Sequence, residues 1–182
     1  MHVGLILAAG SGSRLGIPKA SLEVGGQRLV DRAVNNFIEA GIDKIYVVLG
    51  AWNGPVQHAH VIFNENWQEG MGSSLRTGLE QISKIDSATD VIISLVDLAG
   101  MTAQAIRLIA QSPHEIVVGT FSGKPGHPVK FAKKYWKEVS SNAYGDIGAR
   151  NFLKGRDDVH FVSLDDIAVG KDIDTPEDLL GY

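Results

Sequence analysis

The run from Leu5 to Lys19, Leu-Ile-Leu-Ala-Ala-Gly-Ser-Gly-Ser-Arg-Leu-Gly-Ile-Pro-Lys, concentrates groups suited to a polyphosphate. Gly10, Gly12 and Gly16 let backbone N–H groups come close to a ligand, while Ser11 and Ser13 add hydroxyls. Arg14 adds a planar fork and Lys19 a point charge. A nucleoside triphosphate needs this equipment. Two common phosphate loops do not fit. A Walker A loop ends Gly-Lys-Ser/Thr, whereas Gly16 is followed by Ile17 and Pro18. The dinucleotide fingerprint wants glycine where Leu15 stands, and an acidic residue where Leu49 runs into Gly50 and Ala51. The simpler alternative is an ordinary glycine-rich turn between a strand and a helix.

Carboxylates form the second set. Asp97 ends the apolar run Ile92-Ile93-Ser94-Leu95-Val96, which suits a central strand. There it either caps the next helix or binds a hard divalent cation. Thr102 lies nearer the helix start, which weakens the cap. Asp172 and Asp174 alternate around Ile173, so extended backbone puts both on one face. The following Thr175-Pro176-Glu177-Asp178 is a helix start with Thr175 as N-cap, and a structural role suffices for Thr175, Glu177 and Asp178. Gly70-Met71-Gly72-Ser73-Ser74 opens a helix. Ser73 or Ser74 caps it, or the small residues let a base and ribose approach. His127 is held between Gly126 and Pro128, after a flexible stretch Ser122-Gly123-Lys124-Pro125. Gly145-Asp146-Ile147-Gly148-Ala149-Arg150 reads equally as a turn or a substrate loop. His2, His58, His60, His114 and His160 have no metal-site spacing.

Alternating elements must position these groups. Strands are expected at Val3–Ala8, Ile45–Leu49, His60–Phe63, Val91–Leu95, Glu115–Thr120 and Val159–Ser163. Helices are expected at Leu29–Ala40, Gly72–Ile82, Thr102–Ala110 (with Thr102 as N-cap) and Ala149–Leu153. The pattern predicts one α/β domain over residues 1–182: three layers, with a mostly parallel twisted sheet flanked by helices. Such sheets bind ligands at the carboxyl ends of their strands, which puts residues 8–19 and Asp97 at one crevice.

Composition narrows the class. Hydrophobic residues make up 44% and charged residues 21%, as in an ordinary globular chain. No apolar run reaches membrane-spanning length, and the absence of cysteine excludes disulfides and thiolate ligands. A net charge of −4 argues against non-specific nucleic-acid binding. A cytoplasmic protein acting on small molecules, with neither nucleic-acid nor membrane partners, is the expectation.

The loop, with Gly70–Ser74, Leu95-Val96-Asp97, Gly126-His127-Pro128 and Asp172–Asp178, resembles the molybdenum cofactor cytidylyltransferase/guanylyltransferase-like family within the NTP transferase superfamily. The resemblance covers nearly the whole chain. It implies a Rossmann-like nucleotidyltransferase fold and Mg²⁺-dependent transfer of a nucleotide from an NTP to a phosphorylated acceptor, releasing pyrophosphate. Arg14, Lys19 and Asp97 are then catalytic. Leu7, Ala8, Ala9, Gly10, Ser11, Gly12, Ser13, Arg14, Lys19, Gly72, Ser73, Ser74 and Asp97 bind the nucleotide. Lys124 and His127 contact the acceptor, and Asp97, Asp174 and Asp172 hold the metal. Ala8-Ala9 before Gly10 resembles the cytidylyl branch, which points to CTP. The acceptor so implied is molybdopterin cofactor, with transient contact to a molybdoenzyme or its chaperone. Leu98-Ala99 departs from the polar residue and proline that often follow the aspartate. Alternatives are transfer to a sugar phosphate or methylerythritol phosphate, and a non-catalytic accessory protein that binds nucleotide or cofactor.

Overall fold

The computed structural model describes residues 1–181. Its strands are β1 (His2–Leu7), β2 (Glu23–Val24), β3 (Gln27–Arg28), β4 (Ile45–Leu49), β5 (His60–Phe63), β6 (Asp90–Leu95), β7 (Ile116–Phe121), β8 (Lys124–Ala132) and β9 (His160–Ser163). Its helices are α1 (Leu29–Glu39), α2 (Met71–Ser83), α3 (Ala103–Gln111), α4 (Trp136–Asn142) and α5 (Arg150–Leu153). Seven strands form one sheet in the order β5-β4-β1-β6-β8-β7-β9, and β2 and β3 form a separate small hairpin. All contacts in the large sheet are parallel except those of β8, which runs antiparallel to β6 and β7.

Burial on both faces explains the near-continuous apolar strands. Along β1, Val3, Leu5 and Leu7 face a core shared with Leu75 and Leu79 of α2, Trp136 of α4 and Phe152 of α5. Ile6 and Ala8 face the opposite core, with Val30, Val34 and Phe37 of α1 and Ile106 and Ile109 of α3. Two helical layers thus enclose the sheet, as the alternation predicted. Gly4 is small for a reason: a Cβ there would lie 2.7 Å from the Phe37 ring.

Most expected elements recur with ends shifted by one or two residues, and Thr102 caps α3 by accepting from the Ala105 amide at 3.2 Å. Three differences matter. Lys124 and Pro125 read as part of a flexible stretch and no strand was expected after it, yet Lys124 begins β8. Its register to β7 slips between Val118 and Thr120, a bulge that accommodates Gly126, His127 and Pro128. The short α4 and the β2–β3 hairpin were not expected. The helix after Thr175 is a 3₁₀ segment, Pro176–Gly181. Among the described residues no helix is long and apolar enough to cross a membrane.

Candidate active site

Strand β1 delivers the glycine-rich loop to the carboxyl edge of the sheet. The Ala8 amide still bonds the Val48 carbonyl at 2.9 Å, after which the chain turns away. Gly12 makes the turn at φ +62°, its carbonyl accepting from the Leu15 and Gly16 amides. A Cβ at residue 12 would fall 1.9 Å from the Ile17 carbonyl oxygen, so the close return of the chain requires glycine. A 3₁₀ turn over Lys19–Ser21 follows, anchored by the buried Ala20.

Lys19 reaches from that turn into a pair of carboxylates. Its Nζ donates to Asp97 Oδ2 and to Asp174 Oδ1, both at 2.6 Å. Arg14 Nη2 lies 3.0 Å from the other Asp174 oxygen. Burial opposes the Lys19 charge, but Asp97 and Asp174 outweigh it and hold the ammonium above its ordinary pKa. The same contact with Lys19, helped by Arg14, draws the Asp174 carboxyl down.

Asp97 follows β6, where the Val96 amide continues the pairing to Leu7. The Asp97 carbonyl accepts from the amide of the fully buried Ile173, which brings the distant Asp174 alongside. Beyond Ile173 the backbone is gripped by Asp178, whose Oδ2 accepts from the Asp174 amide, the Thr175 amide and the Thr175 hydroxyl at 2.9–3.0 Å. Thr175 stands at the start of the 3₁₀ segment, its carbonyl accepting from the Asp178 amide at 3.1 Å, while the Asp178 carboxylate reaches back to the Thr175 amide as in a capping box.

These groups open onto a cavity of about 580 Å³. Leu7, Ala8, Ala9, Gly10, Ser11, Gly12, Ser13, Arg14, Lys19, Ser74, Asp97 and Asp174 all line it. Gly72 and Ser73 stand behind the wall. The Gly72 amide donates to the Gly145 carbonyl at 2.7 Å, and the Ser73 hydroxyl bonds Asn64 and the Asn66 and Gly70 carbonyls. Asp172 is not on the wall either. It is exposed as a residue, and desolvation of its carboxyl, with the Asp97 charge beside it, raises its pKa.

Lys124 and His127 also lie off the cavity wall. Lys124 is exposed at the start of β8. His127 is half-buried where β8 parts from β6, close enough for Asp97 to act on its ring. Burial nonetheless lowers its pKa to about 4, so the imidazole is neutral at neutral pH. Trp67 and Gln68 line the cavity without having been singled out, whereas Gly70, Met71, Leu95, Val96 and Asp146 line it from within motifs that the sequence marked. For Asp146 the signal was present in the Gly145–Arg150 motif. Its carboxylate stands 3.4 Å from the Met71 amide and 2.6 Å from where a Cβ on Gly70 would be, so the motif docks on the start of α2.

The donor set suits a hard divalent cation. Asp97 Oδ1 is buried without a hydrogen-bond partner among the described residues, and Asp97 and Asp174 already share one cation in Lys19. Two carboxylates leave the remaining coordination positions to phosphate oxygens and water, the usual habit of Mg²⁺ at a triphosphate. Among the described residues no group of three or more His, Cys, Asp or Glu side chains is placed to hold a metal ion together.

The sequence and the fold have relatives among known proteins. Residues 4–160 match a family model described as the MobA-like NTP transferase domain. The chain is 30% identical over 193 residues to nicotine blue oxidoreductase of Paenarthrobacter nicotinovorans, an alignment covering 97% of this chain and 93% of that one. It is 26% identical, over the same shares, to the purine catabolism protein PucB of Bacillus subtilis. Rv0371c of Mycobacterium tuberculosis H37Rv superposes with a TM-score of 0.85 at 25% identity, over 99% of this chain and 96% of that one. A further structure of that protein, in complex with manganese, superposes with a TM-score of 0.82 at 24% identity over the same shares.

Proposed function

The chain belongs to the MobA-like NTP transferase domain family, and from that premise we propose that it transfers a nucleotide, CMP by preference, to a phosphorylated acceptor, with molybdopterin cofactor foremost. The observation that carries this reading is Lys19 held between Asp97 and Asp174 at the floor of a cavity walled by a glycine-rich loop. In the reaction an acceptor phosphate oxygen attacks the α-phosphorus, a new P–O bond forms, and the bond to the β-phosphate breaks to release pyrophosphate. No covalent nucleophile is required, because alignment and charge stabilisation supply most of the acceleration.

Each part of the site has a task. Loop amides and the Ser11 and Ser13 hydroxyls cradle the phosphates, while Ala8 and Ala9 leave room beside the base. Lys19 exchanges carboxylate partners for phosphate oxygens, and Arg14 meets the charge that develops on the leaving pyrophosphate. Asp97 and Asp174 would hold Mg²⁺, which when bound neutralises the triphosphate. His127 and Lys124 face the acceptor side, where a neutral imidazole offers a hydrogen bond without adding charge.

The test is pyrophosphate release with each NTP and Mg²⁺, with and without molybdopterin cofactor, sugar phosphates or methylerythritol phosphate. Release with one NTP and one acceptor establishes donor and acceptor together. NTP binding without release for any acceptor favours the accessory-protein reading. A second reading rests on the 30% identical relative being named an oxidoreductase. A reduced dinucleotide presents a pyrophosphate to the same loop. Oxidation of NADH or NADPH by an added quinone-type hydride acceptor, without pyrophosphate release, moves the chain to that class.

A further inference from the structure

We infer that Asp178 is a positioning residue that fixes the Asp174 carboxylate at the floor of the cavity. The inference rests on the proposed reading in taking Asp174 to hold a divalent cation there. Asp174 arrives on irregular backbone, outside residues 4–160 that match the family model and without a ladder partner of its own. Such backbone leaves a short side chain free to point several ways unless its amides are held. Two anchors bracket it. On one side the Ile173 amide bonds the Asp97 carbonyl at 3.0 Å and its side chain is fully buried. On the other, Asp178 Oδ2 takes the Asp174 and Thr175 amides at 3.0 and 2.9 Å and the Thr175 hydroxyl at 3.0 Å. Asp178 Oδ1 is occupied separately, 2.7 Å from Lys171 Nζ.

This division of labour makes the role testable. All three grips on residues 174 and 175 use one oxygen, so an asparagine can keep them through its amide oxygen while losing the charge. An alanine loses everything. If Asp178 acts by its charge, Asp178→Asn and Asp178→Ala are equally defective. If it acts by holding backbone, asparagine rescues.

The experiment compares wild type, Asp178→Ala and Asp178→Asn with two readouts. Amide exchange by NMR follows Asp174 and Thr175. Titration of Mn²⁺ by EPR, with a non-hydrolysable CTP analogue present, follows the metal. Asp178→Ala is expected to speed exchange at both amides and to weaken Mn²⁺ binding about 10- to 100-fold, the usual range for losing a partner that orients a metal ligand. Asp178→Asn is expected to stay within about threefold of wild type, inside the lower limit of that range. Unchanged exchange in the alanine variant, or an asparagine variant as defective as alanine, overturns the inference. An Asp97→Asn variant that binds Mn²⁺ like wild type instead defeats the reading of the site, and the exchange data still decide what Asp178 does.

Discussion

Two regions of the molecule treat charge differently: the glycine-rich loop at the cavity and the β7–β8 hairpin beyond its wall. On the loop side each cation already has an anionic partner: Arg14 with Asp174, and Lys19 with Asp97 and Asp174. On the hairpin side, Lys124, His127 and the nearby Arg150 have no side-chain hydrogen bond or ion pair among the described residues. The loop side is thus preorganised but self-compensated, so a metal–triphosphate must exchange with contacts already made. The hairpin side offers uncompensated groups and little preorganisation. In the proposed reading the first arrangement gives a donor site rigidity, and the second lets an acceptor site take varied chemistry.

The largest effect should come from removing a shared anion. Asp97→Asn keeps the shape of the side chain but leaves Lys19 with one carboxylate. Its expected consequence is a loss of pyrophosphate release of about 10³-fold, at the upper end for deleting one preorganised electrostatic group. Thermal unfolding should show a folded variant. Wild-type turnover would remove the loop side from the chemistry.

Lys19→Met sharpens the comparison from the other direction. The ammonium both competes with a cation for two carboxylates and supplies a charge to the phosphates. Calorimetry should show nucleotide affinity falling about tenfold or more, in line with the loss of a charge-assisted contact. Mn²⁺ binding without nucleotide should strengthen, because the internal competitor is gone. If both affinities fall together, Lys19 only builds the site and the exchange picture is wrong.

How much was readable beforehand follows the same divide. The loop side is local in sequence: an apolar strand, then Gly10 to Lys19, with Asp97 ending a second apolar strand. Adjacent parallel strands deliver both to one edge, so convergence followed from topology. Asp174 was readable as a carboxylate but not as a partner of Lys19, since the Ile173–Asp97 bond that brings it in joins residues far apart in sequence. The start of β8 was hidden because Pro125, Gly126 and Pro128 are punctuators of loops, and only the bulge against β7 lets them remain in a strand. Helix α4 spans 7 residues, too few for periodicity to declare itself. Asp178 looked like first-turn decoration. The Thr175-x-x-Asp178 spacing allows a reach back to the Thr175 amide, but does not state that the same oxygen also takes the Asp174 amide.

On the hairpin side the expected effects are smaller, and the first concerns stability. His127 has a folded pKa of about 4 against an ordinary 6.5. Below about pH 6.5 the unfolded chain binds a proton that the folded chain refuses, so stability is whole above that point and declines as pH falls toward about 4. Replacing His127 by Gln should flatten this decline in urea titrations at pH 7.5, 6 and 5. An unchanged slope would place the ring in contact with water and align His127 with Lys124 as a surface group.

Lys124→Ala should have the smallest effect. An exposed ammonium off the cavity wall is screened, and such a group contributes about 0–1 kcal/mol to a contact. In the proposed reading the acceptor KM rises no more than about fivefold, the equivalent of that energy, while nucleotide affinity stays unchanged. The split matters more than the size. A rise in acceptor KM alone keeps Lys124 on the acceptor side and keeps the two sides independent. An equal loss of nucleotide affinity would mean that the hairpin reaches the triphosphate, in which case the uncompensated charges belong to the donor site and the division between the two sides disappears.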